Sequence, residues 1–144
     1  MKIKNPNAGP LTNFEVLEFL KSRGAAKDNS RVIAPVAPSE YKVFDYIMET
    51  PACRQTKAQI NEFMGKCKTY NLAKAEILNI INLAPRALVE LDPIIENPEA
   101  RYGEELEELT VLVSNVFPPP PLAEEENTNN EENGHEEQDQ TDES

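Results

Sequence analysis

The stretch from residue 72 to residue 85 constrains the fold more than any other part of this sequence. Its central large aliphatic side chains are Ile77, Leu78, Ile80 and Ile81. At helical spacing they spread over about 160° of a wheel, whereas a helix on a protein surface needs an apolar face of only about 100°. We therefore predict the central helix of a small bundle, covered on more than one side and stopped by Pro85, which cannot donate a backbone hydrogen bond.

The first two predicted helices carry an even wider apolar face. The first begins at the capping box Thr12–Glu15 and ends near Arg23, with Gly24 as its left-handed stop; the second runs from Ser39 to Thr50. Apolar side chains cover about 220° of each wheel. They are Phe14, Val16, Leu17, Phe19 and Leu20 in the first helix and Tyr41, Val43, Phe44, Tyr46, Ile47 and Met48 in the second. We expect both helices also to pack on another protein; the alternative is that the chain's own core buries them.

The remaining pattern predicts an all-α fold of six helices. A third helix opens on a capping box at Thr56 and reaches about Tyr70. A fifth is expected over residues 87–96, with a kink or break before its internal proline, and Asn97-Pro98 is expected to be a turn. The last helix covers residues 104–117. Residues 24–38 are interpreted as a linker in which residues 31–36 are extended.

Charge is distributed unevenly along the chain. The net charge is −12 at pH 7, but residues 122–144 contain ten acidic and no basic residues, so the rest is nearly neutral. We expect residues 118–121 to end the ordered part as polyproline II and the acidic residues 122–144 to be disordered. Residues 54–86 hold six bases and residues 87–121 eight acids, which predicts a bundle with a basic and an acidic side. The candidate phosphate-contacting residues are Arg54, Lys57, Lys66, Lys68, Lys74 and Arg86; the alternative is ordinary solubility.

Catalytic chemistry has little support in this sequence. The only histidine, His135, lies in the acidic segment, and Cys53 and Cys67 are too few for a zinc site. All five glycines are isolated, so no Gly-rich phosphate loop exists. No apolar run is long enough for a transmembrane helix, and no apolar segment follows Met1 as in a signal peptide. We expect a soluble, non-enzymatic protein of the cytosol or nucleus without metal, cofactor or membrane contact.

Several short motifs resemble the small stalk subunits of eukaryotic RNA polymerase III, relatives of the polymerase II small stalk subunit and of the archaeal F subunit. The resemblance covers roughly residues 11–118. It is carried by Leu11-Thr12-Asn13-Phe14-Glu15-Val16, Leu72 with Lys74-Ala75-Glu76, Leu78 with Ile81-Asn82, Pro85-Arg86 and Val89-Glu90.

This resemblance implies an N-terminal partner-binding segment and linker (1–38), an HRDC-like helical bundle (39–117) and a tail (118–144). Such a subunit forms a stalk heterodimer with a larger OB-fold subunit on the polymerase III core, near the exit of nascent RNA. It supports initiation of tRNA and 5S rRNA synthesis in the nucleus, partly through the initiation factor TFIIIB, and neither catalyses the reaction nor binds the nucleotide substrate. The residues implied to face the larger subunit are Leu11, Phe14, Val16, Leu17, Phe19 and Leu20.

Two other functions remain open at this point. One is a free-standing HRDC-type module that binds nucleic acid through its lysines. The other is a cytosolic helical adaptor whose acidic tail docks basic partners.

Overall fold

The computed structural model describes residues 2–121, and within this range the fold is all-α, as predicted. The seven α-helices are α1 (Asn13–Ser22), α2 (Pro38–Met48), α3 (Lys57–Lys66), α4 (Lys74–Leu83), α5 (Leu88–Leu91), α6 (Pro98–Tyr102) and α7 (Glu105–Val116). Short 3-10 turns cover Asn29–Val32, Pro51–Arg54 and Cys67–Tyr70. The disorder expected for the acidic tail falls on residues 122–144, which lie outside the described residues.

Both predicted ends of α1 are confirmed. The Thr12 hydroxyl accepts a hydrogen bond from the Glu15 N–H (3.1 Å), and the Glu15 carboxylate accepts one from the Thr12 N–H (2.7 Å). At the other end Gly24 has a positive φ of 100°. The Gly24 N–H donates to the Lys21 carbonyl and the Ala25 N–H donates to the Leu20 carbonyl. These two carbonyls of the last helical turn therefore have hydrogen-bond donors.

Removing this N-cap should cost measurable stability. We expect Thr12→Ala to lower the free energy of unfolding by about 1 kcal/mol, because the Glu15 N–H loses its acceptor. Urea unfolding followed by circular dichroism at 222 nm measures the change. Thr12→Ser keeps the hydroxyl and should stay close to the parent chain. If the serine variant lost as much as the alanine variant, packing of the threonine methyl would explain the effect and the cap would not.

The predicted central helix is present as α4. Ile80 and Ile81 are fully buried in it, and Ile77 is half-buried against the same core. The helix ends at Leu83, and Ala84 adopts a left-handed conformation (φ 45°) directly before Pro85. The proline therefore ends the helix as expected.

Three expectations for irregular segments were wrong. The helix expected over residues 87–96 is only Leu88–Leu91, although the break expected at Asp92 is present. α6 occupies part of the region expected as a turn, so the helix count of six was too low. Pro93 explains the early stop, since it cannot donate to the helical ladder. Residues 31–36 are not a continuous extended segment, because Asp28 accepts a hydrogen bond from the Ser30 N–H (2.9 Å) and starts the 3-10 turn.

Two apolar clusters form the core. The larger one joins α3, α4, α7 and residues 91–95 around Phe63 and Phe117, whose ring centroids lie 5.5 Å apart. The smaller one joins α1, α2 and the turn Pro51–Arg54. Phe14 packs against both clusters. The core of α1 and α2 thus crosses the boundary expected at residue 38.

No helix within residues 2–121 has the length and apolarity needed to span a membrane.

Candidate partner-binding surfaces

The structure divides the six α1-region residues predicted to face a partner into three groups. Leu17 and Leu20 are 1% and 4% exposed and lie in the small core with α2. Phe14 and Val16 are half-buried. Leu11 and Phe19 are exposed. This is a correction for Leu17 and Leu20, because the chain's own helix α2 covers the side of α1 that carries them.

An exposed apolar surface nevertheless runs along α1 and α2. The Arg23 guanidinium contacts the Phe19 ring (5.9 Å to its centroid) and pairs with Glu40 (3.3 Å). This pair joins the end of α1 to the first turn of α2. Phe19 lies one turn back from it in α1, and Val43 lies one turn forward in α2, followed after another turn by Tyr46. We call Phe19, Val43 and Tyr46 the α1–α2 surface; these side chains are 57%, 45% and 67% exposed.

The flank of α2 opposite the α1–α2 surface contacts the 3-10 turn Asn29–Val32 that precedes the helix. Arg31 lies over the Tyr41 ring (4.4 Å to its centroid) and bonds the Asp45 carboxylate (2.7 Å). This hydrogen bond lowers the pKa of Asp45, and the positive charge of Arg31 adds to the effect. Partial desolvation of the carboxylate acts in the opposite direction and is outweighed. Tyr41 is therefore engaged within the chain, whereas Val43 and Tyr46 remain on the open side of the helix.

A groove of about 710 Å³ opens on the other flank of α1, between α1, α3 and α4. Its largest apolar lining side chains are Phe14, Ile60, Met64, Ile77, Leu78 and Ile81. The Asn13 N–H donates to the Asn82 side chain (2.9 Å), which fixes the start of α1 on the end of α4. Lys57 and Lys74 line this groove from α3 and α4.

Of the six predicted phosphate-contacting bases, the structure brings only Lys57 and Lys74 to one groove. Lys66 pairs with Glu62, and Arg54 is half-buried beside Cys53. Arg86 donates to the carbonyls of Phe117 (3.0 Å) and Pro118 (2.6 Å), so it fixes the end of α7. Lys68 is exposed after α3. The expected basic side is therefore divided among several environments.

Sequence reasoning missed one buried polar site. Glu76 is only 8% exposed and accepts hydrogen bonds from both terminal nitrogens of Arg101. These bonds lower the pKa of Glu76, and the Ala73 N–H, which also donates to it (2.8 Å), adds to the effect. A glutamate three residues after the N-cap position is a signal that could have predicted the bond to the Ala73 N–H, but nothing in the sequence connected Glu76 to Arg101.

Reactive groups are sparse in the described part of the chain. Within residues 2–121, no group of three or more His, Cys, Asp or Glu side chains converges to hold a metal ion. Both cysteines are free, and burial raises the pKa of the Cys67 thiol, which disfavours the nucleophilic thiolate.

Comparison with known proteins identifies the family. Residues 10–117 match the family model described as "RNA polymerase Rpb4". The chain is 31% identical over 117 residues to "DNA-directed RNA polymerase III subunit rpc9" of Dictyostelium discoideum, covering 74% of this chain and 85% of the relative. It is 30% identical over 135 residues to the protein of the same name from Schizosaccharomyces pombe, covering 82% of this chain and all of the relative. These matches confirm the resemblance stated from the sequence, and the chain belongs to the RNA polymerase Rpb4 family.

Proposed function

We propose that this chain is a non-catalytic subunit of DNA-directed RNA polymerase III that forms a stalk heterodimer with a larger OB-fold subunit. Membership of the Rpb4 family supports the proposal, as do two relatives named as polymerase III subunits. In this proposal the chain acts in the nucleus on the polymerase III core. There it supports initiation of small untranslated RNAs such as tRNA and 5S rRNA, with TFIIIB among its contacts.

The observation that carries the proposal is the α1–α2 surface. An exposed aromatic ring alone is normal on a protein surface. Here two aromatic side chains and one valine are exposed on the neighbouring helices α1 and α2, which the Arg23–Glu40 pair joins. Apolar anchors surrounded by polar groups are typical of protein interfaces. We assign the larger stalk subunit to this surface; Phe14, which lines the groove on the other flank of α1, is not part of it.

A matched pair of substitutions tests this assignment. Phe19→Asp places a charge in the proposed interface, whereas Val111→Asp places one on α7, at a side chain of nearly the same exposure (56% against 57%). Each tagged chain is purified at native salt from cells that lack the parent chain. We expect Val111→Asp to recover polymerase III subunits at the parent level and Phe19→Asp to lose at least nine-tenths of them, since a desolvated charge costs several kcal/mol.

Circular dichroism of the purified chains shows whether both variants keep the parent helix content. Parent-level recovery of the larger subunit with Phe19→Asp would refute the assignment of the α1–α2 surface. Absence of polymerase III subunits from the parent purification would refute the proposed function itself.

The two other functions considered from the sequence receive less support. A free-standing nucleic-acid-binding module would require its lysines on one surface, yet Lys66 pairs with Glu62 while Lys74 lines the groove beside α1. An adaptor acting through its acidic tail would depend on residues 122–144, which lie outside the described residues. In the stalk proposal, contact with nascent RNA would come from the assembled stalk and would need no binding by this chain alone.

A further inference from the structure

A second groove, about 560 Å³ in volume, lies between α5, α6 and the start of α7. We call it the α5–α7 groove. Leu88 and Val89 line it from α5 and are 41% and 74% exposed, and the buried Leu106 lines it from α7. Its volume falls within the range of about 300–1,000 Å³ that is usual for binding sites. An apolar lining is thus open to solvent at this end of the bundle.

Every charged residue that lines the α5–α7 groove is acidic. The four carboxylates belong to Asp92, Glu99, Glu104 and Glu107. Within residues 2–121 none of them pairs with a basic side chain. Arg101, the only base between residues 87 and 121, is engaged with Glu76. The negative charge of this groove is therefore not neutralised by its own surroundings.

The arrangement of these carboxylates indicates the class of ligand. They do not converge as a metal site would, because no group of three or more potential ligands in the described residues is close enough to share an ion. They instead surround exposed aliphatic side chains. A matching ligand must therefore carry separated positive charges beside an apolar face. Nucleic acid has the wrong charge for such a surface.

We propose that the α5–α7 groove binds a basic amphipathic segment of a partner protein. Aliphatic side chains of that segment pack against Leu88 and Val89, which removes both from water. Its lysines or arginines lie opposite the four carboxylates, where charge complementarity fixes orientation and speeds association. This proposal goes beyond the stalk assignment and uses none of the residues of the α1–α2 surface, so the test of either can fail without the other.

A synthetic peptide tests the proposal on the full chain. The probe is a fluorescent helix of about 18 residues, with lysine on one face and leucine on the other, titrated by anisotropy at about 0.15 M salt. Glu104→Gln with Glu107→Gln should weaken binding about fivefold, because each surface ion pair contributes a factor of two to three. The control is Glu105→Gln with Glu108→Gln, which removes the same charge from the same helix turn outside the groove; we expect less than a twofold change.

The apolar part of the proposal has its own variants. Val89→Ser should weaken binding of the peptide roughly tenfold. Val111→Ser, at an exposed valine outside the groove, should leave the peptide's affinity unchanged. A peptide in which serine replaces every leucine should bind at least about tenfold more weakly. Because all variants keep residues 122–144, attraction by that acidic segment is constant. Equal weakening by the two glutamine pairs, or equal affinity of the serine peptide, would overturn the proposal in favour of unspecific charge attraction.

Discussion

Replacing Phe63 by alanine should lower the free energy of unfolding by about 4 kcal/mol, the largest loss that we expect from any single substitution in this chain. Phe63 is fully buried at the contact of α3 with α7, and its ring packs against Phe117. Leu109 and Val113 of α7 are equally inaccessible to water in the same core. Truncation removes the apolar contacts and leaves a cavity that helices anchored on several sides cannot close. The free energy of unfolding of a whole domain is about 5–15 kcal/mol, so this substitution would remove a large part of the stability.

Urea unfolding followed by circular dichroism measures this effect, and two variants control it. Met64→Ala alters the next residue of α3, which is 48% exposed, and should change stability by less than about 1 kcal/mol. Phe63→Leu keeps most of the volume and should recover more than half of the loss. If Phe63→Ala cost no more than Met64→Ala, the contact between α3 and α7 would not be a main source of stability.

Local sequence signals predicted helix positions well because capping is a short-range interaction. Thr12, Gly24 and Pro85 act on backbone groups within a few residues of themselves. The apolar periodicity of α1 predicted an apolar face wider than the chain's own core could cover, and the structure fully buries only Leu17 and Leu20 of it. It could not distinguish which neighbour covers each part, and so Leu17 and Leu20 were assigned to a partner although α2 buries them. Among the apolar side chains in the middle of that helix, only Phe19 is exposed.

Long-range polar contacts were not predictable from the pattern. Arg86 was grouped with phosphate-binding residues because it lies in a basic stretch of the sequence. In the fold it donates to a backbone carbonyl 31 residues later, where unpaired carbonyls at a helix end need a donor. The α5–α7 groove likewise depends on a fold that brings Leu88 and Glu104 to one place. Charge counts predicted an acidic side, but not that aliphatic side chains would be exposed within it.

Breaking the pair of Glu76 with Arg101 should also cost measurable stability. Arg101 belongs to α6, a helix of five residues that is too short to be stable alone. The pair joins it to α4 across 25 residues of sequence. Charge-assisted hydrogen bonds are worth about 1.5–3 kcal/mol, and solvent screening at the partly exposed Arg101 favours the lower end. We therefore expect Glu76→Gln to lower the free energy of unfolding by roughly 1.5 kcal/mol at pH 7, measured by urea unfolding.

The pH dependence of this loss identifies its cause. The pKa of Glu76 is lowered in the folded chain from the ordinary value of 4.5, chiefly by hydrogen bonds from Arg101. The folded state therefore binds the proton less readily than the unfolded state, and the stabilisation is complete above that value and disappears as the pH falls through the lowered pKa. The difference between the parent chain and Glu76→Gln should accordingly be constant near neutral pH and shrink below about pH 4.5. Glu62→Gln, which removes an exposed ion pair with Lys66, should cost less than about 0.5 kcal/mol. A Glu76→Gln loss that persisted unchanged at pH 3 would indicate that side-chain packing, and not the ionised carboxylate, holds α6 against α4.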